Sequence, residues 1–244
     1  MSDARARAAA FVAAHGDAFA RARAAAQVGE TSVAAALALL DPRIARGGPD
    51  ASLVALRVCD ELGARGDVRV ERACAELASS QRDDGGFDVA GDLDARLVYT
   101  GAAAGLLAKT PFARPELLDA AGDFLARHFA PERVQGFRYE SVAAYASFFA
   151  NAPHPESDAV LQWCGRELER GFRARAFDAV RTARVYAGCD AHAMPGARIA
   201  QDELAAALRA EQSADGGFGL PVAPAAERVD ATLEALVALR HFRV

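Results

Sequence analysis

Lysine is nearly missing from this chain: Lys109 is the only one, and the remaining cationic side chains other than histidine are arginines. The bias accompanies an excess of alanine, so it reads as a coding preference rather than as a polyanion-binding signature. A formal net charge of −5 opposes a nucleic-acid partner at long range. Aromatic residues make up 7% of the chain, and Trp163 is the single tryptophan, which excludes a long cavity walled by π faces. The four cysteines, Cys59, Cys74, Cys164 and Cys189, have no CxxC spacing and lie in apolar contexts. They are expected to be small buried residues in a reducing compartment. No 18-residue apolar run is free of charge, and "MSDARARAAAFVAAHG" carries an early acid and lacks the apolar core of a signal peptide. These absences predict a cytoplasmic protein without a transmembrane segment.

Alternating strand patterns are scarce as well, whereas apolar residues at three- and four-residue intervals are common. In "RPELLDAAGDFLARHF", Leu117, Leu118, Ala121, Phe124 and Leu125 mark one face of an amphipathic helix. Glycine and proline interrupt this pattern often enough to predict about twelve helices, starting near residues 4, 17, 31, 51, 67, 93, 114, 139, 156, 174, 197 and 228. A chain of 244 residues that is 52% hydrophobic suits one all-α domain over residues 1–244.

One string occurs twice. "QRDDGGFD" begins at Gln81, and "EQSADGGFG" holds the matching Gln212, 131 residues later. That offset is three periods of about 44 residues, within the range of helical-pair repeats. Weaker copies follow Ala13, Ala45, Val134 and Glu169, each placing glycine between two helical stretches, for a total of six helix pairs. The glycine satisfies one helix's last carbonyls in a left-handed turn, and an Asp caps the next helix. Phe87 and Phe218 are expected to be buried as wedges at matching places.

The stretches "QRDDGGFDVAGDLDARLVYTGAAAGLLA" and "EQSADGGFGLPVAPAAERVDATLEALVAL" resemble the QxxDGGF/W repeat of the terpenoid cyclase and protein prenyltransferase superfamily. The resemblance implies an α6/α6 toroid. It says little of chemistry, because the motif staples helices together. Phe stands where the family usually has Trp, and the chain is shorter than a typical catalytic barrel.

In the resemblance, cavity-facing residues lie near the starts of the inner helices. "DLDA" at 92–95 and "RVDAT" at 228–232 partly match the DxDD acid of class II terpene cyclases, with Asp94 and Asp230 in the central place and Asp92 as a flanking carboxylate. Ala95 and Ala231 replace the last acid and Arg228 the first. A carboxyl that protonates an alkene must stay neutral in a dry pocket. Asp94, Asp178 and Asp230 also suit plain helix caps. The implied substrate-binding set is Arg96, Tyr99, Tyr139, Glu140, Tyr145, Asp178, Arg181, Arg184 and Tyr186, with Phe137, Phe148 and Phe149 as possible pocket walls. Glu227, Arg228 and Thr232 occupy similar places at the start of the last helix.

No cofactor is expected. The Asp-x-Cys pair and the DDxxD helix that would hold metal in relatives are missing, and Cys189, Asp190 and His192 in "GCDAHAMPG" read as a polar turn. The function expected is acid-initiated cyclisation or rearrangement of an apolar, isoprenoid-like small molecule. The alternative is a non-catalytic toroid that binds a hydrophobic ligand or a protein partner.

Overall fold

The computed structural model describes residues 3–244. In chain order its helices are α1 (Asp3–His15), α2 (Ala18–Val28), α3 (Val33–Ala38), α4 (Asp41–Ile44), α5 (Pro49–Glu61), α6 (Val68–Ser80) and α7 (Leu93–Leu107). They continue with α8 (Pro115–His128), α9 (Pro131–Val134), α10 (Tyr139–Asn151), α11 (Ser157–Arg173), α12 (Ala179–Gly188), α13 (Gln201–Glu211) and α14 (Val229–His241), the last entered through a 3-10 turn at Ala225–Arg228. No strand forms among the described residues, and Gln81 and Phe87 make a lone antiparallel bridge. The twelve expected helices begin within about five residues of their predicted starts. The single turns α4 and α9 are additional. No described helix is long and apolar enough to cross a membrane.

Short polar side chains set the helix starts. Asp17 accepts from the Ala20 amide at 2.8 Å, Asp92 from the Ala95 amide at 2.9 Å and Asp178 from the Arg181 amide at 2.7 Å. Each side chain satisfies an amide that the first helical turn leaves without a partner. Pro49, Pro115 and Pro131 open their helices at positions where a missing N–H costs nothing.

The chain packs as two compact units. The first comprises Met1–Arg43, Asp178–Ala187 and Ile199–Val244. Within it α14 packs on α1 and α2, around buried Phe11, Phe19, Leu233 and Leu236. The second comprises Ile44–Phe177 and Gly188–Arg198. Its densest pairing is α7 against α10. Small residues permit that approach, since a Cβ on Gly101 would stand 2.8 Å from the Ala144 carbonyl oxygen and one on Gly105 would stand 2.4 Å from Ser147 Oγ.

The weaker copies are less uniform than their spacing predicts. Gly16 separates α1 from α2 and Gly136 precedes α10, as expected. Gly171, however, lies inside α11, and the break comes after Arg173. Gly171 makes room for a neighbour, because a Cβ there would meet the Phe177 ring at 2.2 Å. Phe177, only 1% exposed, fills the space beside Gly171.

Candidate functional site

The two strong copies of the repeated string build the same clamp. In the second unit, Gln81 Nε2 donates to the carbonyls of Gly85 and Leu117, both at 2.9 Å, joining the turn to α8. Asp84 accepts from the Gly86 amide at 3.0 Å and from Arg96 Nη2 at 2.9 and 3.0 Å. The Arg96 guanidinium lies 4.9 Å from the centre of the Phe124 ring, and the buried Phe87 amide donates to Thr100 Oγ1 at 3.0 Å. Gly85 is required twice over: its φ is +91°, and a Cβ would stand 2.0 Å from the Ala120 carbonyl oxygen.

In the first unit, Gln212 Nε2 donates to Gly216 O at 2.9 Å and Ala4 O at 2.8 Å. Asp215 accepts from the Gly217 amide and from two nitrogens of Arg228, while the Phe218 amide donates to Thr232 Oγ1 at 3.0 Å. Arg228 lies 4.9 Å from the centre of the Phe11 ring. Phe87 and Phe218 are 0% and 1% exposed. Arg96, expected to hold substrate, is therefore a clamp residue, as are Arg228 and Thr232.

This equivalence corrects the register expected for the acids. Arg96 and Arg228 hold the same partners, so the loop after Phe218 is one residue longer than the loop after Phe87. Asp94 then corresponds to Ala226, and Asp230 corresponds to Val98. The placement of the acids also departs from expectation. Asp92 is the N-cap of α7. The Asp94 side chain is 50% exposed and pairs with Arg133 and, at 3.4 Å, with Arg138. Asp230 is exposed in the first turn of α14. None of the three is the shielded carboxyl that alkene protonation requires.

The other candidates divide between the two units. In the second, Tyr99 is buried and donates to the Pro49 carbonyl at 2.6 Å. Burial pushes its phenol well above the usual range, with the charges of Asp50 and Glu76 adding to the effect. Tyr139 sets its ring against Phe177 at 5.4 Å, and Glu140 is exposed. Tyr145 stacks on Phe149 and meets Phe129 edge-on, and its buried hydroxyl has no hydrogen-bond partner among the described residues. Burial raises this phenol too. Phe148 and Phe149 pack edge to face, so these rings fill core instead of walling a pocket, whereas Phe137 is 41% exposed. In the first unit, Asp178 caps α12, Arg181 is exposed and Arg184 half-buried on that helix, and Tyr186 is buried edge-on to Phe242.

One polar cluster was not anticipated. Lys109, whose side chain is only 3% exposed, donates to Asp60 at 2.8 Å and to the Gly188 carbonyl at 3.3 Å, and stands 3.4 Å from Asp190. Arg65 bonds both carboxylates, reaching Asp60 at 2.6 Å and Asp190 at 2.8 Å. The compact ammonium suits three converging acceptors in a way that a planar guanidinium does not. The available signal was the lone lysine of an arginine-rich chain. Beside the cluster, burial pushes the Cys189 thiol up to about 12 against the pull of Lys109. Asp190 is committed to its cations, and His192 is exposed. Among the described residues, no three His, Cys, Asp or Glu side chains group as metal ligands.

No family model, curated protein or solved structure matches this chain.

Proposed function

We propose that the chain is an α6/α6 toroid related in architecture to the terpenoid cyclases and prenyltransferases, and that it works as a non-catalytic scaffold for a protein partner. The observation that carries this reading is the setting of Asp94. A half-exposed carboxylate paired with two arginines is open to water, the opposite of the dry, shielded setting that a proton donor to an alkene needs. The clamps support the architecture: the C-terminal Gln-x-x-Asp-Gly-Gly-Phe turn docks on α1 as the other docks on α8, which is what a ring of helix pairs needs where its ends meet. Arg96 and Arg228, near the starts of the expected inner helices, hold those turns together.

The test is an assay of the purified protein and its Asp94→Asn variant against isoprenoid alkenes and isoprenoid diphosphates, with products followed by mass spectrometry. Neither protein is expected to form a cyclised or rearranged product, and their stabilities should agree to within about 1 kcal/mol, as for an exposed ion pair. Turnover by the native chain that drops a hundredfold or more in Asp94→Asn would overturn the scaffold reading.

A further inference from the structure

The outer face of α11 carries Arg166, Arg170 and Arg173 at four- and three-residue spacing, so all three project from one side of the helix. Across from them runs the turn that ends at Arg198. Between the two lies a groove of about 460 Å³ lined by Gln162, Arg166, Glu169, Gly196, Ala197 and Arg198.

Close packing fixes this groove. A Cβ on Gly165 would stand 2.0 Å from the Pro195 carbonyl oxygen, and Gly196, at φ +85°, comes so near Gln162 that a Cβ would stand 2.2 Å from its carbonyl oxygen. The Arg198 amide donates to Glu169 Oε2 at 2.9 Å, and Arg173 donates to the Arg198 carbonyl at 3.2 Å. Both walls are thereby held in register.

The charges across the groove are unequal. Arg170 has Glu167 at 3.5 Å and Arg173 has Glu169 at 3.8 Å. Arg166 and Arg198, in contrast, form no ion pair among the described residues. Arg166 lies 5.3 Å from the centre of the Trp163 ring, which orients its guanidinium and leaves its N–H edges available.

We propose that this groove docks an acidic segment of a protein partner, with Arg166 and Arg198 each gripping one carboxylate and the Gln162 amide available to the segment's backbone. A guanidinium matches a carboxylate through two parallel hydrogen bonds, and two of them on opposite walls select a chain with closely spaced acids. A nucleic acid fits less well. Its affinity comes from neutralising many phosphates, and here two unpaired cations sit on a molecule of net charge −5 with Glu169 in the groove wall. The proposal rests on the scaffold reading for its purpose, but its test reads binding alone and is separate from any assay of turnover.

Trp163, the only tryptophan, is a built-in reporter beside Arg166. The full chain is titrated with a hexaglutamate peptide while Trp163 emission is followed, and labelled peptide is followed in parallel by anisotropy. The expected result is saturable binding by both signals that weakens as salt rises, and that weakens about tenfold or more in Arg166→Gln and in Arg198→Gln. Arg127→Gln, an exposed arginine on α8, should bind as the native chain does. Absence of saturable binding, an equal loss in Arg127→Gln, or tighter binding of a thymidine dodecamer than of the peptide would each overturn the proposal.

Discussion

The two Gln-x-x-Asp-Gly-Gly-Phe turns make matching glutamine-to-carbonyl bonds on acceptor helices that the chain supplies from different places. Gln81 reaches Leu117, 36 residues ahead on the next long helix, whereas Gln212 reaches back 208 residues to Ala4. The acceptor faces match even so. Leu117, Ala120 and Phe124 on α8 stand where Ala4, Arg7 and Phe11 stand on α1, and each helix follows its phenylalanine with a histidine one turn on, at ring distances of 5.0 and 4.7 Å. Docking is therefore written into the turn and the helix face, and continuity of the chain between them is not needed. The loops that follow the turns differ more. Leu220 and Val222 in the longer loop are 73% and 93% exposed, while Val89 in the shorter loop is half-buried.

The strongest way to break the equivalence is to remove its wedges. Phe87→Ala and Phe218→Ala should each cost about 3–5 kcal/mol, measured as shifts in urea unfolding, because both rings are fully enclosed. A loss below about 1 kcal/mol at Phe218 with a full loss at Phe87 would mean that docking on α1 is weak and that connectivity matters after all. Thr100→Val and Thr232→Val come next, at about 1–3 kcal/mol, since each strands a buried Phe amide without an acceptor at nearly constant volume. Thr232 should be the costlier of the two, because its hydroxyl also donates to the Arg228 carbonyl at 2.8 Å.

Much of this was legible from local spacing. Glycine and Asp punctuation placed the long helices, because caps and left-handed turns act within a few residues of their own positions. The burial of Phe87 and Phe218 followed from a string of fixed spacing. Register across a loop was less visible: "LDA" at 93–95 and "VDA" at 229–231 look alike, yet Arg96 and Arg228 define the alignment by reaching back to Asp84 and Asp215, and the two schemes differ by four residues. Gly171 misled for a similar reason. A glycine that clears space for a distant ring looks, in one dimension, like a glycine that ends a helix. The Lys109 cluster joins residues up to 125 apart, and no local pattern announces it.

The smallest effect is also the finest comparison, because the clamp carboxylates differ in how their arginines hold them. Arg228 meets Asp215 as a fork, Nη1 to Oδ2 at 2.7 Å and Nη2 to Oδ1 at 3.0 Å, whereas Arg96 shares the single nitrogen Nη2 between both oxygens of Asp84. The Arg228 hydrogen bonds, followed by that of the Gly217 amide, lower the Asp215 carboxyl to about 2. Asp84 is lowered as well, first by its bond to Arg96. A carboxyl whose folded pKa lies below its unfolded value contributes stability that is fully present above the unfolded value and is lost as pH falls through the folded one. The window for Asp215 thus runs from about 4 down to about 2. Both carboxylates are partly exposed, so salt screens them and the contribution is modest. The expected result is an acid limb of the stability profile that flattens in Asp215→Asn and flattens less in Asp84→Asn, measured by unfolding midpoints between pH 5 and pH 2. Equal flattening would show that the fork geometry adds nothing beyond a nearby positive charge, and a steeper limb in either variant would reverse the assigned sign.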